Sequence, residues 1–385
     1  MAPQTLTDLP SELQLAVVEL IRRPSDLRNL CLASKALRAV AVPELYGEVV
    51  LDLDRCTFRH LHGYFFAGNP GPKYVRSLQF IPDKPKDYDD AVRVMRLALH
   101  MVDRNGLRKI SMPQGMVLDD GFLTQLCVGQ QQLSTLHLGV VGNAVFQLMT
   151  SPVFPRHWCR TITSLHIPEL MSSLDDLEGY QQIIRHASAL RDLHIWMNGA
   201  VLQCDGTIRL APNTFKDDYG SLQDGMLIKL FGPVQDEQKQ PKLNLSRLRL
   251  ARVEMFHPET SLMRVIDFSK LTELALVGCP RPEILLMALA RDFERTGSAL
   301  RKFTFTGFLI TATPLEALLG SVTGLSSLHL SYNSPDAKKF PDRKVLSLVC
   351  CLKNHCFTLR ELYVDYRMLS MPKGSDDRAA NGSLP

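Results

Sequence analysis

The chain has 385 residues, and its 44 lysines and arginines against 40 aspartates and glutamates give a net charge of +4. So small a charge does not favour bulk binding to nucleic acid or to an anionic membrane. The composition, 45% hydrophobic and 22% charged, is ordinary for a globular protein. This length indicates about two to three domains, with enough buried surface to fold without disulfides or metal ions.

The cysteines and the apolar stretches bear on the compartment. Nine cysteines is an odd number without a repeated spacing, which favours free thiols in a reducing compartment. Residues 1–9 lack the basic segment and the apolar run of a signal peptide. The longest apolar stretch, from Ile284 to Ala290, is far shorter than the ~20 residues of a membrane helix. We therefore expect an intracellular protein in the cytoplasm, the nucleus or both.

The first 46 residues predict three short helices. Pro10 suits the first position of a helix, and Pro24 is expected to stop that helix. Ser25 and Ser34 can cap the second and third helices, and Pro43 is expected to end the third. The apolar positions are Leu13, Val17, Leu20 and Ile21, then Leu27, Leu30 and Cys31, and finally Leu37, Val40 and Ala41. The first set forms a single apolar stripe.

Three helices of this length bury too little surface to be stable on their own. They form either a helical cap on the domain that follows or a docking module that presents apolar side chains to a partner. The docking module is favoured because Leu6, Leu9 and Pro10 need a contact that three short helices do not supply.

This segment resembles an F-box, and most of all the F-box of filamentous-fungal F-box proteins with leucine-rich repeats. The matching elements are Leu9-Pro10-Ser11-Glu12-Leu13, Asp26-Leu27, the run from Leu30 to Arg38, and Pro43-Glu44-Leu45-Tyr46. The resemblance implies an F-box over residues 1–46 that docks on a Skp-family adaptor, which joins it to a cullin–RING ubiquitin ligase. It also implies that the adaptor contact is made by Leu9, Pro10, Leu13, Leu27 and Leu30.

Beyond residue 46 a hexad of the form apolar-x-x-apolar-x-apolar recurs ten times. Its fourth positions are Leu78, Ile110, Leu136, Leu165, Leu193, Leu248, Leu274, Phe303, Leu328 and Leu362. The interval averages about 28 residues when the gap between Leu193 and Leu248 is counted as two repeats. That period is typical of leucine-rich repeats.

In each hexad the fourth and sixth side chains face the core, and the third and fifth face outward, because strand side chains alternate. Between the hexads, apolar residues recur at helical spacing and predict helices at Ala91–Val102, Pro282–Arg295, Pro314–Val322 and Arg343–Cys356. Residues 48–53 are expected to add a first strand. The resemblance to leucine-rich-repeat proteins implies that Asn198, Cys279 and Asn333 satisfy turn backbone. We therefore predict an α/β fold in which the three-helix F-box precedes a solenoid over residues 47–370, with concave parallel strands and convex helices.

Two segments interrupt the pattern. Residues 199–242 form an irregular insertion with a polar run from Gln235 to Lys242. It is either a surface loop with a degraded repeat or an insertion that contacts the target. Residues 371–385 are rich in Gly, Ser, Asp, Asn and Pro, and we expect a disordered tail.

Known catalytic motifs are missing from the sequence. It contains no G-x-G-x-x-G, no P-loop, no H-E-x-x-H and no G-x-S-x-G. Cys350, Cys351, His355 and Cys356 resemble a metal site, but no second ligand pair has the spacing that zinc requires, so we interpret the cysteines as buried helix residues. We expect no catalytic residue, no metal and no cofactor.

The outward fifth positions are the candidate target-binding surface. They hold Gln79, Ser111, His137, His166, His194, Arg249, Ala275, Thr304, His329 and Tyr363. We select His137, His166, His194, Arg249, His329 and Tyr363 as the target contacts. Histidines that become cationic near pH 6 suit an acidic or phosphorylated target, although histidine is also simply tolerated on an exposed strand.

Together the resemblance and the repeats predict a substrate-recognition subunit of an SCF-type ubiquitin ligase rather than an enzyme. The first alternative is a protein-binding scaffold whose F-box assembles no active ligase. The second is an enzyme whose site no motif reveals.

Overall fold

The computed structural model describes residues 6–64, 68–82, 85–113, 116, 119–138, 156–167, 174–196, 200–202, 208–210, 227, 230–231, 242–253, 255, 261–308, 313–333 and 351–367. The chain forms two compact units. The first contains Met1–Glu169 and Ser173–Leu190, and the second contains Leu170–Ser172 and Arg191–Pro385. The expected tail at 371–385 and most of the expected insertion at 199–242 lie outside the described residues.

The first unit begins with helices and continues as alternating strands and helices. Its helices are α1 (Ser11–Glu19), α2 (Pro24–Ala33), α3 (Lys35–Gly47), α4 (Phe58–Tyr64), α5 (Tyr88–Met101), α6 (Asp120–Gly129), α7 (Arg156–Cys159) and α8 (Leu174–His186). Its strands are β1 (Glu48–Asp52), β2 (Ser77–Ile81), β3 (Lys109–Ser111), β4 (Thr135–His137) and β5 (Ser164–Ile167). These strands pair in parallel and in chain order.

The second unit repeats the same alternation. Its strands are β6 (Asp192–Trp196), β7 (Ala200–Leu202), β8 (Ile208–Leu210), β9 (Arg247–Ala251), β10 (Glu273–Val277), β11 (Lys302–Phe308), β12 (Ser327–Asn333) and β13 (Glu361–Arg367). Its described helices are α9 (Leu262–Val265), α10 (Pro282–Thr296) and α11 (Thr313–Ser321). Strands β6 and β9 to β13 pair in parallel in that order, and β7 and β8 form a separate antiparallel pair. The predicted α/β fold of parallel strands alternating with helices is confirmed.

The hexads pair in the predicted register. Leu274 on β10 lies opposite Leu248 on β9 and Phe303 on β11, and the same positions are aligned in the other described pairs. From β2 to β12 the fourth and sixth hexad side chains are 3% exposed or less. The inward positions therefore form a stacked apolar core, as the alternation of strand side chains requires.

The second hexad position, which follows the first apolar residue, ties neighbouring repeats together. Serine and threonine hydroxyls there donate to the second-position carbonyl of the preceding repeat: Ser134 to Arg108, Thr163 to Ser134, Thr272 to Ser246 and Ser326 to Arg301. Arginines there donate instead to a loop carbonyl of the following repeat: Arg76 to Gly106, Arg108 to Gln132, Arg191 to Asn244 and Arg301 to Gly324. Each bond satisfies a carbonyl at the junction between two repeats.

Several predicted details are corrected by the structure. Pro10 is the N-cap of α1 rather than its first residue, and Pro24 is the first residue of α2. Pro43 lies inside α3, which continues to Gly47, so it does not end the helix. The Ser34 cap is confirmed, because its hydroxyl accepts the Leu37 amide at 3.1 Å.

The buried thiol of Cys279 bonds to backbone of the neighbouring repeat, since it donates to the carbonyl of Leu250 on β9 at 3.2 Å. The side chains of Asn198 and Asn333 lie outside the described residues. Among the described helices, none has the length and apolarity that crossing a bilayer requires.

Candidate functional site: two binding surfaces

Helices α1 to α3 share a very small core. Val18, Leu27 and Ala41 form its buried centre, and Ile21, Leu30, Cys31 and Leu45 pack against it half-buried. Helix α3 packs against both α1 and α2. Of the predicted adaptor contacts, Leu27 is therefore interior and Leu30 partly so, and both stabilise the arrangement of the three helices.

The predicted apolar stripe of α1 lies mostly in solvent. Leu13 is 52% exposed and Leu20, at the C-cap, is 75% exposed, with Val17 between them at 37%. Positions 13, 17 and 20 share one face of the helix because they are four and three residues apart. On α2, Leu32 is also exposed, at 76%. The sequence identified the stripe, and the structure shows that Val18 beside it fills the core, while of the stripe itself only Ile21 packs against that core.

A buried glutamine holds the segment before α1. Gln14 is buried, and its amide Nε2 donates to the Leu9 carbonyl at 2.8 Å and to the Thr7 carbonyl at 3.4 Å. These bonds place the half-buried Leu9 and the exposed Pro10 at the start of the same helix as Leu13. Sequence reasoning missed Gln14, because a polar residue in an amphipathic helix is normally assigned to solvent.

The three helices are joined closely to the first repeat. Helix α3 ends at Gly47, and β1 begins at the next residue. The ring of Tyr46 lies on Gly71, where a Cβ would meet ring carbons at 2.2 Å, so glycine is required there. The Tyr46 and Tyr64 ring centroids are 5.5 Å apart. These contacts fix the end of α3 against the residues that precede β2.

In the first unit, the fifth-position row brings together two predicted histidines. His137 on β4 and His166 on β5 are register partners, with ring centroids 5.1 Å apart in an edge-to-face arrangement. Burial lowers the pKa of His137, and the positive charge of Lys109 lowers it further. His137 therefore stays neutral to a lower pH than a free imidazole.

In the second unit, the same row runs across six strands. His194 on β6 is the register partner of the exposed Arg249 on β9. At the other end, His329 on β12 and Tyr363 on β13 stack with centroids 4.3 Å apart and planes 24° from parallel. Between them lie the small residues Ala275 and Thr304. The row thus offers a guanidinium and an aromatic pair separated by two small side chains.

The third-position row of this unit carries charges that neutralise one another. Asp192, Arg247, Glu273 and Lys302 alternate in sign on β6, β9, β10 and β11. Arg247 Nε donates to Asp192 Oδ1 at 2.7 Å, and a second guanidinium nitrogen contacts Oδ2. The hydrogen bonds to Asp192 raise the pKa of Arg247. Asp192 and Arg247 are therefore committed to each other, and Glu273 and Lys302 follow them with alternating sign along the row.

The described cysteines are free thiols. Burial raises the pKa of Cys159 to about 12 and that of Cys127 well above its ordinary value. In the predicted metal-like cluster, His355 is buried and bonds to the Leu319 carbonyl at 3.0 Å, but Cys356 is exposed, so its interpretation as a buried residue is wrong. Cys350 lies outside the described residues, which contain no group of three potential metal ligands.

Comparisons with known proteins leave the family open. No family model matches the chain, and no curated protein matches it in sequence. A crystal structure of a Bacteroides fragilis protein, determined by the Northeast Structural Genomics Consortium, is similar over 80% of this chain and 70% of its own, with 8% identity and a TM-score of 0.38. Similarity at that level assigns neither a family nor a function.

Proposed function

We propose that this chain is the substrate-recognition subunit of a cullin–RING ubiquitin ligase. In this proposal α1 to α3 dock on a Skp-family adaptor, and the repeats hold a target protein. The observation that supports it is the exposed apolar set of Leu13, Val17, Leu20 and Leu32 beside a core of only a few residues. Contiguous exposed apolar side chains commonly mark an interaction site. The resemblance of residues 1–46 to an F-box names the adaptor as the partner.

The junction between α3 and β1 suits such a role. A ligase of this class acts by proximity, since it holds a target lysine near a reactive thioester on another protein. The packing of Tyr46 on Gly71 and the direct continuation of α3 into β1 limit motion between the docking helices and the first repeats. The chain itself contributes position and no reacting group.

The proposed target surface is the fifth-position row. Its contacts are the residues selected from the sequence, His137, His166, His194, Arg249, His329 and Tyr363. Imidazoles, one guanidinium and a tyrosine provide hydrogen bonds and stacking, and the lowered pKa of His137 favours the neutral form of that one side chain. A triple variant replacing His137, His166 and His194 by alanine should fold and should weaken target binding.

Adaptor binding tests the proposal directly. The purified chain is titrated with a purified Skp-family adaptor in a calorimeter. Leu13→Ala with Leu20→Ala should weaken binding by about 30-fold or more, because a truncated apolar anchor commonly costs ~2 kcal/mol. Leu9→Ala with Pro10→Ala should have a similar effect. Ile284→Ala is the control, because it truncates an aliphatic side chain that is 38% exposed on α10, away from the docking helices in the sequence. It should leave the affinity for the adaptor unchanged.

The outcomes separate the alternatives. Parent protein that does not bind the adaptor overturns the proposal, as does a Leu13 and Leu20 double variant that folds and binds as tightly as the parent. If the parent binds the adaptor, a reconstituted ligase should also transfer ubiquitin to this chain itself. Binding without any transfer would favour a scaffold that assembles no active ligase.

A further inference from the structure

The last strand of the second unit, β13, packs differently from the strands that precede it in the parallel sheet. Among the described residues β13 ends the strand order, with β12 as its partner. Its fourth and sixth hexad residues, Leu362 and Val364, are 53% and 44% exposed. The equivalent residues of β12, Leu328 and Leu330, are 1% and 0% exposed. The same positions that fill the core elsewhere are left partly in water here.

An edge strand of this kind is a template for pairing. Every second residue of β13 directs its backbone N–H and C=O away from β12, and paired backbone groups are the rule in sheets. Natural proteins protect such edges by shortening or twisting them or by covering them. Strand β13 is seven residues long and carries aliphatic side chains at its centre. No described strand pairs with its outer edge, where the backbone groups of Leu362 and Val364 lie beside exposed apolar surface.

The sequence of β13 is complementary to itself in one register. When two copies pair antiparallel about a two-fold axis through Val364, each Glu361 lies opposite Arg367 of the second copy. Leu362 then lies opposite Tyr366, and Tyr363 lies opposite Asp365. Opposite charges in directly facing positions favour such pairing, whereas like charges oppose it. The central contact joins the two copies of Val364, which gives each exposed aliphatic side chain an apolar neighbour.

We propose that the protein is a homodimer whose two-fold interface is the antiparallel pairing of β13 with β13 of a second copy. An isologous interface requires a patch that complements itself, and β13 meets this requirement in both backbone and charge. The sheet of the second unit then continues across the axis. This inference does not depend on the proposed ligase function, since it concerns a strand at the opposite end of the chain sequence from α1 to α3.

The test measures the mass of the full chain in solution by size-exclusion chromatography with light scattering. The parent should have twice the chain mass of 43.3 kDa. Val364→Lys places two like charges on the axis and should give a monomer. Val50→Lys is the matched control, because Val50 is similarly exposed, at 51%, but lies on β1 in the first unit. It should leave the dimer intact.

Charge exchange identifies the register. Glu361→Arg alone faces two arginines against each other, and Arg367→Glu alone faces two glutamates, so each single variant should dissociate. The double variant should restore the dimer, and an equimolar mixture of the two single variants should form a heterodimer. A monomeric parent overturns the proposal, and a dimer that survives Val364→Lys places the interface elsewhere. If Val364→Lys dissociates the dimer but Glu361→Arg and Arg367→Glu do not, the proposed antiparallel register of the two β13 strands is overturned.

Discussion

Replacing Leu274 by alanine is the sharpest test of how the repeats are packed. Leu274 is fully buried on β10, between Leu248 and Phe303 on the neighbouring strands. Removing three carbons forfeits ~0.8 kcal/mol of transfer free energy for each. The stacked neighbours on both sides prevent collapse into the space, so a cavity term adds to the loss. We expect the free energy of unfolding to fall by about 3–5 kcal/mol.

Leu362 is the same residue at the same hexad position, but it is 53% exposed on β13. Leu362→Ala therefore forfeits roughly half of the transfer free energy and opens no closed cavity, which predicts a cost of about 1 kcal/mol. Ser327 occupies an outward third position on β12, and Ser327→Ala should change the stability by less than ~0.5 kcal/mol. The three sites lie in one unit, so their costs are directly comparable.

The assay is urea denaturation followed by circular dichroism, with midpoint and slope fitted for each variant. All three substitutions are made in the Val364→Lys background, so that pairing between copies does not contribute. Equal costs at Leu274 and Leu362 would show that β13 is covered as completely as the inner strands, and the reasoning from burial would be refuted. Equal costs at Leu274 and Ser327 would refute the register.

Three further predictions concern single side chains. Thr272→Val should cost about 1 kcal/mol in the same denaturation assay, because its hydroxyl donates to the Ser246 carbonyl at 2.8 Å. The pKa of His137 lies below its ordinary 6.5, so on acidification this histidine is protonated in the unfolded chain before it is protonated in the folded protein. The free energy of unfolding should therefore fall as the pH drops below 6.5. NMR titration of His137, and thermal melts of the parent and of His137→Gln at several pH values, check this. Burial raises the pKa of Cys279 to about 12, so this thiol should resist alkylation until unfolding, whereas the exposed Cys356 should react in the native protein, as mass spectrometry will show.

The repeat register was predictable because packing dictates it. Strand side chains alternate strictly, and a one-residue shift would move every leucine of a hexad to the outward face. The positions of apolar residues such as Leu136 and Leu274 in the sequence therefore predict which residues lie opposite each other on neighbouring strands. The helix boundaries were less predictable, as Pro43 shows. It lies inside α3 and removes one backbone hydrogen bond, yet the helix, which packs against α1 and α2, continues to Gly47.

The spacing of apolar residues did not predict whether the stripe on α1 faces the core or the solvent. Leu13, Val17 and Leu20 satisfy helical periodicity, but so does the pair of Gln14 and Val18, which the structure buries. Periodicity locates a face without stating whether the rest of the chain or a partner covers it. The same limit applies to β13, where Leu362 fits the hexad as well as Leu328 does and yet has no following strand among the described residues.

The solvent-facing positions of the hexad differ in what constrains them, and this difference bears on function. The second position is Arg, Ser or Thr in all ten hexads, a restriction visible in the sequence. Its hydroxyls and guanidinium groups bond neighbouring repeats, as Thr272 and Arg301 illustrate, so structure accounts for the residue types found there. The fifth position ranges from Ala275 to Arg249 and Tyr363, and the sequence shows no comparable restriction to a few residue types there. A position whose residue type varies along the sheet can be matched to a ligand without loss of stability, and for that reason we place the proposed target contacts in that row.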